Sequence, residues 1–197
     1  MLVMPGVRFE GATPTSLVAD QIGRYGQFYE LYDTAFGGDP RYRSVYVDQR
    51  PDIVVVFDRA SGAPSYQQLW HLDPALSVTS VGPSSAIASA PGTELALLRV
   101  ALPGQVVPPG SVTVVRGQTD PYQGWVSHQM LQQTPADVVE MNQQGPAAAI
   151  LTVIVPTAPG TLVTASASGP PGGPYLLQVR IGHALSTFTV TADGTIS

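Results

Sequence analysis

Apolar positions in this chain fall in short runs cut by glycine and proline, and no stretch carries a helical stripe. Residues 41–48 (RYRSVYVD) alternate cleanly. Tyr42, Ser44 and Tyr46 share one face and Arg43, Val45 and Val47 the other, which is the period of a strand. Residues 24–33 alternate more weakly around Tyr25, Phe28, Tyr29 and Tyr32. Residues 52–58 (DIVVVFD) read as a buried strand, 59–64 (RASGAP) as a turn, and 65–72 (SYQQLWHL) as a returning strand closed by Asp73-Pro74. This pattern predicts a central hairpin. Further strands are predicted at 77–81, 86–89, 94–101, 111–116, 126–131, 136–141, 147–155, 162–166, 175–181 and 185–191. Proline is confined to the breaks between them, as expected of a residue that cannot donate to a central ladder. The spacing predicts an all-β fold, a large antiparallel β-sandwich of short strands. The run Gly-Pro-Pro-Gly-Gly-Pro at 169–174 reads as a long turn and not a linker, because the two strands after it would be a barely stable hairpin alone. Residues 1–197 are therefore expected to form one domain.

Composition adds exclusions. A net charge of −5 leaves no basic patch for nucleic acid and no polybasic membrane segment. All nine basic residues are arginine, a bias that a GC-rich genome produces, although arginine also suits bidentate contact with carboxylates. There is no cysteine, so disulfides and thiolate chemistry are excluded. No apolar run approaches the roughly 20 residues of a membrane helix. Pro5 and Gly6 interrupt the first residues too early for a signal sequence.

The pattern IVVVFDRASG…YQQLWHLDP at 53–74 resembles the β-sandwich part of the heparinase II/III-like polysaccharide lyases. Residues 90–98 (APGTELALL), 117–127 (GQTDPYQGWVS), 135–139 (PADVV) and 151–156 (LTVIVP) resemble later family segments in the same order. Each piece is weakly specific alone; the ordered set is the stronger signal. The resemblance implies an enzyme that performs β-elimination beside a uronic acid, built as an N-terminal helical toroid followed by a sandwich. In the family most of the catalytic groups come from the toroid and from a histidine-rich junction. This chain resembles the sandwich without them, so no catalytic residue is carried over. The implied partners are an acidic polysaccharide and the toroid of a parent enzyme, and such parents are usually exported. Two rival readings stay open: a free-standing glycan-binding module, and a truncated structural remnant.

Five residues are candidates for contact with a glycan: Trp70, His71, Tyr122, Trp125 and His128. Trp70 either stacks on a pyranose or belongs to the core. His71 is on the opposite face of its strand; one of the two faces could line a sugar cleft, and otherwise His71 is a hydrogen-bonded strand histidine. Tyr122, Trp125 and His128 lie in and after the turn DPYQG, where an aromatic loop either meets sugar or packs on the sandwich edge. His183 reads as a turn histidine. No metal or cofactor is expected. Some family members hold an ion with an acid matching Asp58. In a simple hairpin, however, Asp58 and His71 would lie on the order of 20 Å apart. Asp48, Asp52 and Asp58 read as solvated or capping acids and not as a glycosidase pair. No nucleophile elbow, phosphate loop or dinucleotide fingerprint is present.

Overall fold

Two apolar runs, IVVVF at 53–57 and AAAILTVIV at 147–155, are too continuous for strands with one face in water. In the computed structural model, which describes residues 1–11 and 13–197, they are neighbouring strands in the middle layer of three.

The strands, in chain order, are β1 (Leu2–Val3), β2 (Ser16–Ile22), β3 (Gly26–Phe36), β4 (Asp39–Gln49), β5 (Asp52–Ser61) and β6 (Ser65–His71). Next come β7 (Ser77–Val81), β8 (Ser85–Ala90), β9 (Thr93–Val100), β10 (Val112–Arg116), β11 (Gln118–Thr119) and β12 (Tyr122–Gln123). β13 (Trp125–Gln129), β14 (Gln132–Pro135), β15 (Asp137–Gln144) and β16 (Ala147–Thr157) follow, and β17 (Val163–Ser168), β18 (Tyr175–Ile181) and β19 (Ala184–Val190) close the chain. The middle layer is an eight-stranded sheet in the order β2-β3-β4-β5-β16-β9-β8-β7. A four-stranded sheet, β1-β6-β15-β10, covers one of its faces, and a three-stranded sheet, β17-β18-β19, covers the other. Pairing within these sheets is antiparallel throughout. The fold is all-β, as the strand spacing predicts.

Alternation distributes the middle strands between two cores. Ala60, Ala148 and Ile150 face the four-stranded sheet, meeting Tyr66, Val139 and Met141. Ile53, Val55, Phe57, Leu151 and Val153 face the three-stranded sheet, meeting Leu177, Val179 and Phe188. The faces expected for 41–48 are the ones observed. Tyr46 packs edge-on to Phe188 at 5.6 Å, while Arg43 points the other way, to Asp58. Residues 169–174 join β17 to β18 within the three-stranded sheet.

The central hairpin is a correction. β5 and β6 do not pair: β5 lies between β4 and β16, and β6 between β1 and β15. The turn at 61–65 carries the chain from one layer to the next. Glycine and proline mark a reversal, but they do not say whether the returning segment lies beside the first or faces it. Here β5 is apolar on both faces and needs a layer above as well as below. The hairpin register also falls. His71 lies opposite Val138, and Asp58 lies opposite Arg43 and Ile150, so the separation argued from that register has no basis.

Candidate functional site

Beneath the four-stranded sheet lies a buried polar network. Asp58, Gln68 and Thr152 are fully buried. Arg43 donates from Nε to Asp58 Oδ1 at 2.7 Å and from Nη2 to Oδ2 at 2.6 Å. Gln68 Nε2 donates to the same Oδ2 at 2.8 Å. Gln68 Oε1 accepts from Trp70 Nε1 at 2.9 Å and from Thr152 Oγ1 at 2.5 Å. Burial works against the Arg43 charge, but the hydrogen bonds and charge of Asp58 outweigh it and its pKa is raised. Both Asp58 oxygens are thus engaged by protein donors, which does not suit a metal ligand. Among the described residues, no three His, Cys, Asp or Glu side chains group to hold an ion.

Above the sheet, β10 ends in a small ribbon, β11–β12, folded back over β6. Gly124 makes this possible. It sits at φ +80°, and a Cβ there would lie 2.6 Å from the Gly117 nitrogen and 2.7 Å from the Arg116 Cα. Its carbonyl accepts from the Gly117 and Ala136 amides at 2.8 and 2.9 Å. Trp125 Nε1 donates to the Gln118 carbonyl at 2.9 Å, and Tyr122 stacks on Trp125 with centroids 5.9 Å apart and planes 10° from parallel. Gln123 Nε2 donates to Glu140 at 2.6 Å, which fixes the ribbon to β15.

Between ribbon and sheet is a groove of about 290 Å³, lined by Met1, Leu69, His71, Tyr122, Gln123 and Trp125. Three of the five candidates, His71, Tyr122 and Trp125, therefore meet. Trp70 is on the inward face of β6, half-buried, with the Arg43 guanidinium 5.4 Å above its ring. His128 is exposed on β13 and lies outside the groove. His183 is exposed in the turn between β18 and β19. Leu69 and Gln123 are groove residues that the sequence reading missed; Leu69 alternates onto the His71 face, which is the signal that marks it. Partial burial first, and then the charge of the N-terminal amine, lower the His71 pKa below 6.5. That amine donates to the Leu69 carbonyl at 2.7 Å. Burial chiefly, and then Arg43, lower its pKa to about 5.

Comparison with protein-family models finds no match, and neither does comparison with curated protein sequences. Solved structures do match. A heparan sulfate lyase from Pedobacter heparinus superposes with a TM-score of 0.75 at 12% identity, over 98% of this chain and 30% of that one. A heparinase III structure gives 0.72 at 11%, over 97% and 29%. A second heparinase III gives 0.70 at 14%, over 97% and 30%. The chain has a heparinase III-like β-sandwich fold. At this identity the likeness is one of fold, and the chain spans about 30% of the length of the structures it matches.

Proposed function

We propose that this chain is the β-sandwich part of a polysaccharide lyase that eliminates across uronic-acid-containing glycan when joined to a helical toroid, and that alone it holds glycan without cleaving it. The observation that carries this reading is the fold match, nearly complete for this chain and about 30% of the matched lyases. β-Elimination needs a group to neutralise the uronate carboxylate, a base for the C5 proton and an acid for the departing oxygen. The groove offers the His71 imidazole and the Tyr122 hydroxyl but no arginine to neutralise a uronate carboxylate, which supports binding over elimination. The chain alone is expected to release no unsaturated uronate from heparan sulfate, heparosan or alginate. A rise in ultraviolet absorbance from that product would overturn this part. A second reading, a free-standing glycan-binding module, is favoured by the stacked Tyr122–Trp125 pair. Both readings require Trp125→Ala to weaken glycan retention in affinity electrophoresis with the fold intact.

A further inference from the structure

We propose that the groove beside β6 recognises the uncharged face of a single pyranose ring, and not its carboxylate or sulfate groups. This deepens, and rests on, the reading of the groove as a glycan contact.

The walls supply the first argument. Tyr122 is stacked on Trp125 yet remains 57% exposed, so one broad ring is held rigid by its neighbour and still open to solvent. A sugar ring presents its axial C–H groups to such a platform, and an aromatic side chain loses little conformational freedom in meeting it. Leu69 forms apolar floor. At about 290 Å³ the groove is at the lower end of ligand sites, which fits one ring.

The polar groups supply the second. His71 and Gln123 are the side chains placed to exchange hydrogen bonds with hydroxyls. Gln123 spends a donor on Glu140 and keeps its amide oxygen and a second N–H. The lowered pKa of His71 favours its neutral imidazole, which has one donor and one acceptor.

Charge supplies the third. Anionic sugars are read by guanidinium or ammonium groups, and the chain has no lysine. Arg41, Arg43, Arg59 and Arg116 are paired with Asp33, Asp58, Glu30 and Asp137. Arg99 is buried and donates to the Asn142 carbonyl. No arginine lines the groove, and the nearest fixed charge through Gln123 is the carboxylate of Glu140. The Met1 amine at the groove is spent on the Leu69 carbonyl, and its pKa is lowered to about 5, so at pH 7 a polyanion would meet a protein of net charge −5 with little positive charge in this groove to offset the repulsion.

The test is a titration of the whole chain, followed through its two tryptophan indole N–H resonances. Trp125 reports the groove and Trp70, inside the network, is the control. The probes are neutral hexamers of β-1,4-linked N-acetylglucosamine and of glucose, and an anionic heparin hexasaccharide. A neutral hexamer is expected to move the Trp125 signal and leave Trp70 in place. Its affinity should change less than about twofold between about 0.1 and 1 M NaCl, because screening acts only on charge. Tyr122→Ala should weaken it about tenfold, and His71→Gln, an exposed change that keeps a donor and an acceptor, by less. If only the heparin hexasaccharide binds at Trp125, and weakens more than about fivefold with salt, the neutral-face inference is overturned and the glycan reading survives. If none of the three moves Trp125 in a well-dispersed spectrum, both are overturned.

Discussion

Replacing Arg43 by methionine tests whether the network under β6 holds the layers together. The substitution keeps much of the aliphatic stem but removes both hydrogen bonds to Asp58, at 2.7 and 2.6 Å. The Asp58 carboxylate has no exposed surface, and of its protein donors only Gln68 at 2.8 Å would be left. Breaking a buried pair from one side costs about 3–5 kcal/mol. For a chain of this size that is a fall in Tm of roughly 6–20 °C. Asp58→Asn is expected to cost less. The Arg43 side chain is 24% exposed and its orphaned guanidinium can reach water, while an amide oxygen still accepts from Gln68. The double variant, R43M with D58N, removes the stranded charge and should recover a good part of the R43M loss, a coupling above about 1.5 kcal/mol. Calorimetry and urea unfolding of the four proteins measure this. The reasoning is refuted if R43M costs less than about 1 kcal/mol, if D58N costs more than R43M, or if the two losses simply add.

Two further predictions concern the outer layers. Gly194, at φ +99°, lies so close that a Cβ would sit 2.4 Å from Arg59 Nη2 and 2.5 Å from Ser44 Oγ. Gly194→Ala should therefore cost about 1–3 kcal/mol and speed amide exchange in β18 and β19 while leaving β15 unchanged; equal changes in both would contradict it. His71 is expected to titrate below 6.5 by NMR. Its folded pKa is below its unfolded one, so the contribution to stability is present above the unfolded value and is lost as pH falls through the folded one. Wild type should thus lose stability relative to His71→Gln below about pH 6.5, and a midpoint above 6.5 would reverse the sign.

The elements were legible where burial is periodic or two-sided. Tyr175–Ile181 alternates buried and exposed almost throughout, and the runs at 53–57 and 147–155 announce strands covered on both faces. β2 was not legible because all seven of its residues are exposed at the edge of the middle sheet. β11 and β12 are two residues each and owe their shape to Gly124, not to any period. The layer change between β5 and β6 depends on partners far along the chain, which local pattern does not report. For the same reason the polar network was missed, since Gln68 meets Thr152 across 84 residues. Its trace in the sequence is an acid, an amide and a hydroxyl inside apolar strands, each of which must find a partner when buried. His71, Tyr122 and Trp125 were recognisable as surface chemistry, but only the folded-back ribbon puts them in one groove.

The layer change also bears on how this chain is made. Val55 finds its partner in Val153, and Gln68 finds its own in Met141. At about 5–20 residues per second, the strand IVVVF leaves the ribosome roughly 5–20 s before the strand that pairs with it exists. Until then one edge of β5 is open and one of its apolar faces lacks most of its cover, which is the condition that favours edge-to-edge association of nascent chains. The yield of folded protein should therefore depend on translation speed and on chaperone supply more steeply than its equilibrium stability would suggest.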